Sequence, residues 1–146
     1  MSNMKVIEES KSSFQLKAIN LRKSNFEIID VEKPLDGLAI SINIEKKQSG
    51  ESDRLLECAL TISLILKERT DFNIKVTMIG KFEIIGVVDF NTNEFLSINA
   101  PSIIYPYIRQ HVRTLSLESG MIKPIILPIL NFVNLHENNA EHESDD

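Results

Sequence analysis

The side chains best able to carry chemistry in this chain are one cysteine, three histidines and twenty-one carboxylates. Cys58 alternates with Leu56, Leu60 and Ile62. That is a setting for a small buried apolar residue, because a nucleophilic thiolate needs a base beside it. His111 falls among apolar residues at helical spacing, so a packed imidazole bonded to a neighbour is expected, with catalysis as the alternative. His136 and His142 lie in or near a polar tail, where a surface role is expected over metal ligation. Glycines 37, 50, 80, 86 and 120 are scattered, so neither a P-loop nor a dinucleotide fingerprint can be written. The carboxylates mostly adjoin lysines on faces expected to be exposed. These residues predict no enzyme, no metal and no other cofactor.

Charge is distributed unevenly. Five acids (Glu137, Glu141, Glu143, Asp145, Asp146) occupy the last ten residues, where no Lys or Arg occurs. Taking those five from twenty-one leaves sixteen acids against sixteen bases in residues 1–136. A neutral body with an acidic tail is not built to track phosphates, so nucleic-acid binding is not expected. One cysteine excludes a disulfide framework within the chain. The start carries acids where a signal peptide has its apolar segment, and no apolar run approaches the roughly 20 residues of a membrane span. The expectation is a cytoplasmic protein without membrane insertion. At 146 residues with 42% apolar content, one domain with its own core is expected.

The elements that would position these residues follow from periodicity. Residues 1–13 are polar and read as a flexible leader; 14–136 form the domain; 137–146 read as an acidic disordered tail. From Phe14 the chain alternates (Phe14, Leu16 and Ala18 against Gln15 and Lys17), a first strand that continues irregularly to Phe26 or Ile28. Pro34, Asp36 and Gly37 break it. Leu38, Ile40, Ile42 and Ile44 form one clean face of a second strand. Leu56 to Leu66 is a third, and Phe72, Ile74, Val76, Met78, Phe82 and Ile84 line one face of a long fourth. Short polar links between the last three imply an antiparallel meander, to which the first strand can add.

The period then changes. Ile104, Tyr107, Ile108, His111, Val112 and Leu115 follow one face of a helix, capped by Asn99 or Ser102 and ended by Gly120. Pro106 is a candidate kink. Met121–Leu130 is strongly apolar yet holds Pro124 and Pro128, so it cannot be a regular helix. Two readings stay open: it packs as core, or it covers an apolar groove meant for another chain. A short helix follows, from Pro128 or Ile129 to about Asn138. Strands first and helices after is the α+β order.

The segment Asn99-Ala-Pro-Ser-Ile-Ile-Tyr-Pro-Tyr-Ile-Arg109, then Gly120, Pro124, Leu127, Pro128 and Asn131-Phe132, resembles the SecB family of bacterial export chaperones. Phe14-Gln-Leu-Lys-Ala-Ile19 is similar to the family's first strand and Lys81-Phe-Glu-Ile-Ile-Gly86 to its fourth. The resemblance implies a four-stranded antiparallel sheet, a long helix, a crossover loop and a short second helix. It further implies a homotetramer, a dimer of dimers that holds unfolded client or precursor proteins without nucleotide. On matching positions, the client groove would be lined by Phe72, Val76, Met78, Tyr107, Ile125, Leu127 and Phe132. Family members that serve export dock the translocation ATPase SecA through acids on the sheet. Here the matching positions include Lys23 and Lys75, with Glu27 the remaining acid. The same family includes chaperones that protect an aggregation-prone antitoxin, which these lysines make the alternative reading. An assembly subunit with one fixed partner is a third.

Overall fold

The computed structural model describes residues 13–33, 35–48, 54–67, 69–86 and 91–144, the side chains of 139–144 excepted. The expected leader lies outside them save for Ser13. Four strands, β1 (Ser13–Ile28), β2 (Leu38–Gln48), β3 (Leu55–Leu66) and β4 (Phe72–Ile85), make one antiparallel sheet in the order β1-β4-β3-β2. The meander and the added first strand are both present. The order puts β4 and β3 in the middle and leaves β1 and β2 as edges.

Leu56, Cys58, Leu60, Ile62, Leu64 and Leu66 on β3, and Ile74, Val76, Met78, Phe82 and Ile84 on β4, face inward and are buried. Fully burying one such side chain contributes about 1.5–3 kcal/mol. The outer face alternates with them and is mixed, with Lys75, Thr77 and Lys81 beside Leu55, Ile65, Ile79 and Ile85. β1 does not keep the simple alternation expected of it. Its register shifts between Leu16 and Ala18 and again between Leu21 and Lys23. The extra residue returns Ile19 to the inner face and sends Ala18, paired with Lys81, outward.

The helical run begins earlier than Asn99 or Ser102. Asn91 caps α1 (Thr92–Glu94), its side chain accepting from the N–H groups of Asn93 and Glu94 at 3.0 and 3.2 Å. A π-helical turn (Phe95–Asn99) leads into α2 (Ala100–Glu118). Neither expected cap acts as one: Asn99 makes no capping bond, and the Ser102 hydroxyl donates to the Ile98 carbonyl at 2.6 Å. Pro106 is inside α2, which runs on past it. Gly120, at φ +88°, ends the helix as expected, with Gly120 N–H on the Leu117 carbonyl and Met121 N–H on that of Ser116.

α2 lies on the inner faces of β3 and β4. Gly80 allows its close approach, since a Cβ there would stand 2.8 Å from Ile104 Cδ1. Residues 121–131 stay irregular, and α3 (Phe132–Ser144) follows. α3 starts later than Pro128 because Asn131 caps it, accepting from Asn134 N–H at 3.1 Å. It also runs on to Ser144, so residues 137–144, expected as disordered tail, are helical.

Candidate functional site

Two proline residues leave the connection 121–131 without a hydrogen-bonding ladder, so its backbone must find partners elsewhere. One flank of α2 supplies them. The Tyr105 hydroxyl donates to the Pro128 carbonyl, Arg109 Nε donates to the Leu127 carbonyl at 3.1 Å, and Ser116 Oγ accepts from Ile125 N–H at 3.1 Å. Ser116 donates in turn to the Val112 carbonyl at 2.7 Å, so its hydroxyl is used both ways. Residues 105, 109 and 116 share a helix flank at spacings of four and seven. Burial raises the Tyr105 phenol above its ordinary range, which keeps the hydroxyl a donor. The first ring of α3 completes the contact: Phe132 meets Tyr105 edge to face, with centroids 5.8 Å apart.

The connection alternates in what it buries. Met121, Ile125 and Leu127 turn into the core, while Ile122, Ile126 and Ile129 are 92%, 67% and 88% exposed. The position of the connection over the sheet follows from α2. His111 Nε2 meets Ser24 Oγ of β1 at 2.8 Å, the packed and hydrogen-bonded histidine expected from sequence. The Tyr105–Arg109–Ser116 flank lies on the other side of the helix axis, toward β2. On that side the sheet is incompletely covered. Leu38, Ile40, Ile42 and Ile44 of β2 pack against the core but remain half-buried, as do Leu130 and Leu135. The inner face is thus incompletely covered at both edges of the sheet, along β2 at these four aliphatic residues and along β1 at Leu16 and Leu21, which are 40% and 48% exposed.

Of the residues singled out from sequence, Val76, Met78, Ile125, Leu127 and Phe132 belong to one buried cluster, and Phe72 packs half-buried against it. None of the buried five offers an open surface in the protomer: Val76 and Met78 lie on a central strand beneath α2, and Ile125, Leu127 and Phe132 turn into the core. Tyr107 stands apart, 51% exposed on the flank opposite Tyr105. The polar trio Tyr105, Arg109 and Ser116 was not singled out. Tyr105 and Arg109 are four apart within the quoted Tyr-Pro-Tyr-Ile-Arg motif, which was the available signal. The inner face of β2 was legible as a half-buried strand but not as an edge that the helices leave partly uncovered.

The other chemical side chains are placed plainly. Cys58 is buried, and burial pushes its thiol up to about 12, so it is no nucleophile near neutral pH. Among the described residues, no three His, Cys, Asp or Glu side chains gather as a metal site, and no helix is long and apolar enough to cross a membrane.

The chain matches the family model described as preprotein translocase subunit SecB over residues 8–143. It is 25% identical over 131 residues to a protein-export protein SecB of Albidiferax ferrireducens, covering 85% of this chain and 83% of that one. It is 26% identical over 135 residues to one of Alkalilimnicola ehrlichii, with 89% and 71% covered. Among solved structures, a Mycobacterium tuberculosis SecB-like chaperone in complex with a ChAD peptide from the HigA1 antitoxin superposes with a TM-score of 0.66. That match has 14% identity and covers 81% of this chain and 88% of the other. The four-stranded sheet, long helix, proline-broken crossover and second helix are those of this fold, and the chain belongs to the SecB family.

Proposed function

We propose that this chain is an ATP-independent holdase that binds unfolded precursor proteins and keeps them competent for export. The observation that carries the reading is the incompletely covered inner face of the edge strand β2, which we read as the floor of an apolar trough. Four aliphatic side chains on an edge strand lie half-exposed beside a connection that presents more isoleucine to solvent. An apolar surface of this kind suits extended segments of varied sequence, because burial is non-directional. Leu38, Ile40, Ile42 and Ile44 would touch the client, while Phe72, Val76, Met78, Ile125, Leu127 and Phe132 belong to the core on the same face of the sheet. The test is light scattering from a chemically denatured protein diluted into buffer without nucleotide. Wild type suppresses aggregation and Ile42→Glu does not, while Asn43→Glu on the outer face behaves as wild type. Suppression by Ile42→Glu at wild-type level refutes the trough.

A second reading, protection of an antitoxin, is favoured by the outer face of the sheet. Lys23 pairs across from Thr77 and Lys75 across from Asn25, with Glu27 the nearby acid. Like charge facing the basic tail of a SecA partner weakens docking. The M. tuberculosis neighbour was solved with an antitoxin peptide, which supports the same reading. Titration of a SecA-tail peptide separates the two: weak binding, on the order of micromolar or worse, that Lys23→Glu with Lys75→Glu improves, fits the antitoxin role. Tight, salt-resistant binding by wild type fits export.

A further inference from the structure

We propose that Tyr105, Arg109 and Ser116 form a latch that holds the connection 121–131 closed as a strap, and that its release opens buried apolar surface to clients. The proposal rests on the client-holding reading above and adds a gate to it. The strap is attached in an unusual way. Beyond the Met121 N–H on the Ser116 carbonyl at its start, its backbone is fixed by three side-chain bonds, at Ile125 N–H and at the Leu127 and Pro128 carbonyls, all from one flank of α2. A segment tied by few bonds and bearing exposed apolar residues belongs to the low-stability end of a fold, where local opening occurs without global unfolding.

The strap is apolar on both faces. Its inner side chains Ile125 and Leu127 are almost wholly buried, and its outer Ile122, Ile126 and Ile129 face solvent. Lifting it would therefore uncover the apolar core residues that it now seals. This accounts for a conflict in the closed protomer, where a set of apolar residues suited to clients is mostly sealed. The latch is polar and directional, so closing is specific to one seating of the strap, whereas the surface beneath is not selective. Phe132 against Tyr105 ties the same latch to the first residue of α3, so strap and second helix are coupled at one point. Tyr105, Arg109 and Ser116 act here as positioning residues.

Ile125 N–H supplies an internal probe. It bonds to Ser116, not to Tyr105 or Arg109. Removing the other two bonds by Tyr105→Phe with Arg109→Met leaves the Ile125 bond in place. If the strap opens as a unit, each lost bond raises its opening equilibrium about tenfold. Amide exchange at Ile125 should then accelerate at least tenfold while Val76 in β4 keeps its rate. Tyr105→Phe alone gives the smaller step and serves if the double variant folds poorly. In parallel, bis-ANS binding and the capture rate of reduced, carboxymethylated lactalbumin are measured on the full chain. Faster Ile125 exchange with more dye bound and faster capture supports the gate. Unchanged exchange at Ile125 overturns the latch, and faster exchange with unchanged dye binding and capture overturns the gate. If wild type and variants capture no client while exchange and dye binding rise, the latch stands and the holdase reading falls.

Discussion

A single missing Cβ sets how closely helix and sheet meet. At Gly80 an added methyl would stand 2.9 Å from Phe82 Cε2 as well as 2.8 Å from Ile104 Cδ1. Both neighbours are fully buried and have no space into which to withdraw. Gly80→Ala should therefore destabilise the fold by about 1–3 kcal/mol through overpacking. Urea unfolding checks this, and Ile104→Val in the same chain should recover part of the loss. A Gly80→Ala midpoint equal to wild type would show that α2 is not held at contact distance. Ser116 illustrates the opposite economy. Its one buried hydroxyl satisfies a helix carbonyl and the Ile125 amide together, which is why a polar residue is tolerated at a core position.

At the scale of elements, the connection between β1 and β2 is fixed by charge. Arg69 donates from Nε and Nη2 to the Asp71 carboxylate at 2.9 and 2.7 Å, and from Nη2 to the Asp30 carbonyl at 2.9 Å. Asp71 also accepts from Asp30 N–H at 3.2 Å. These bonds, that from Arg69 foremost, hold the Asp71 carboxyl well below the usual carboxylate range. Because its folded value lies under its unfolded one, Asp71 contributes fully above about pH 4. The contribution is lost as pH falls through the folded value. The gap in urea midpoint between wild type and Asp71→Asn should be constant above about pH 5 and narrow below about pH 4. A gap independent of pH would exclude the carboxylate as its source. Much at this scale was legible in sequence: the clean faces of β2, β3 and β4, the helix face from Ile104 to Leu115, and the stop at Gly120. What was hidden depended on contacts remote in sequence. The bulges in β1 answer to its pairing with β4, the π-helical turn moves the helix start to Asn91, and Tyr105 rather than Tyr107 faces the crossover. Strand order decided which apolar faces stay open, for β4 and β2 have equally apolar inner faces and only the edge strands, β1 and β2, are left partly uncovered.

At the scale of the molecule, α2 covers the middle of the sheet and keeps exposed apolar residues on its outer face, with Gln110 and Thr114 among them. Ile103, Tyr107 and Leu117 are exposed along it at spacings of four and ten. Burial of these apolar side chains between copies favours assembly by roughly 25 cal/mol per Å². The chain should therefore form the homotetramer expected of its family, and Tyr107→Asp should shift it toward smaller species. Light scattering coupled to size exclusion measures both, and a wild-type monomer at tens of micromolar would refute the assembly. The client-binding trough over β2 is the central claim, and its most direct measurement is site-specific crosslinking. A photoreactive residue at Ile42, on the inner face, should crosslink to an unfolded client in the absence of nucleotide, whereas one at the adjacent Asn43, on the outer face, should not. Equal crosslinking at the two positions, or crosslinking at Asn43 alone, would contradict the account.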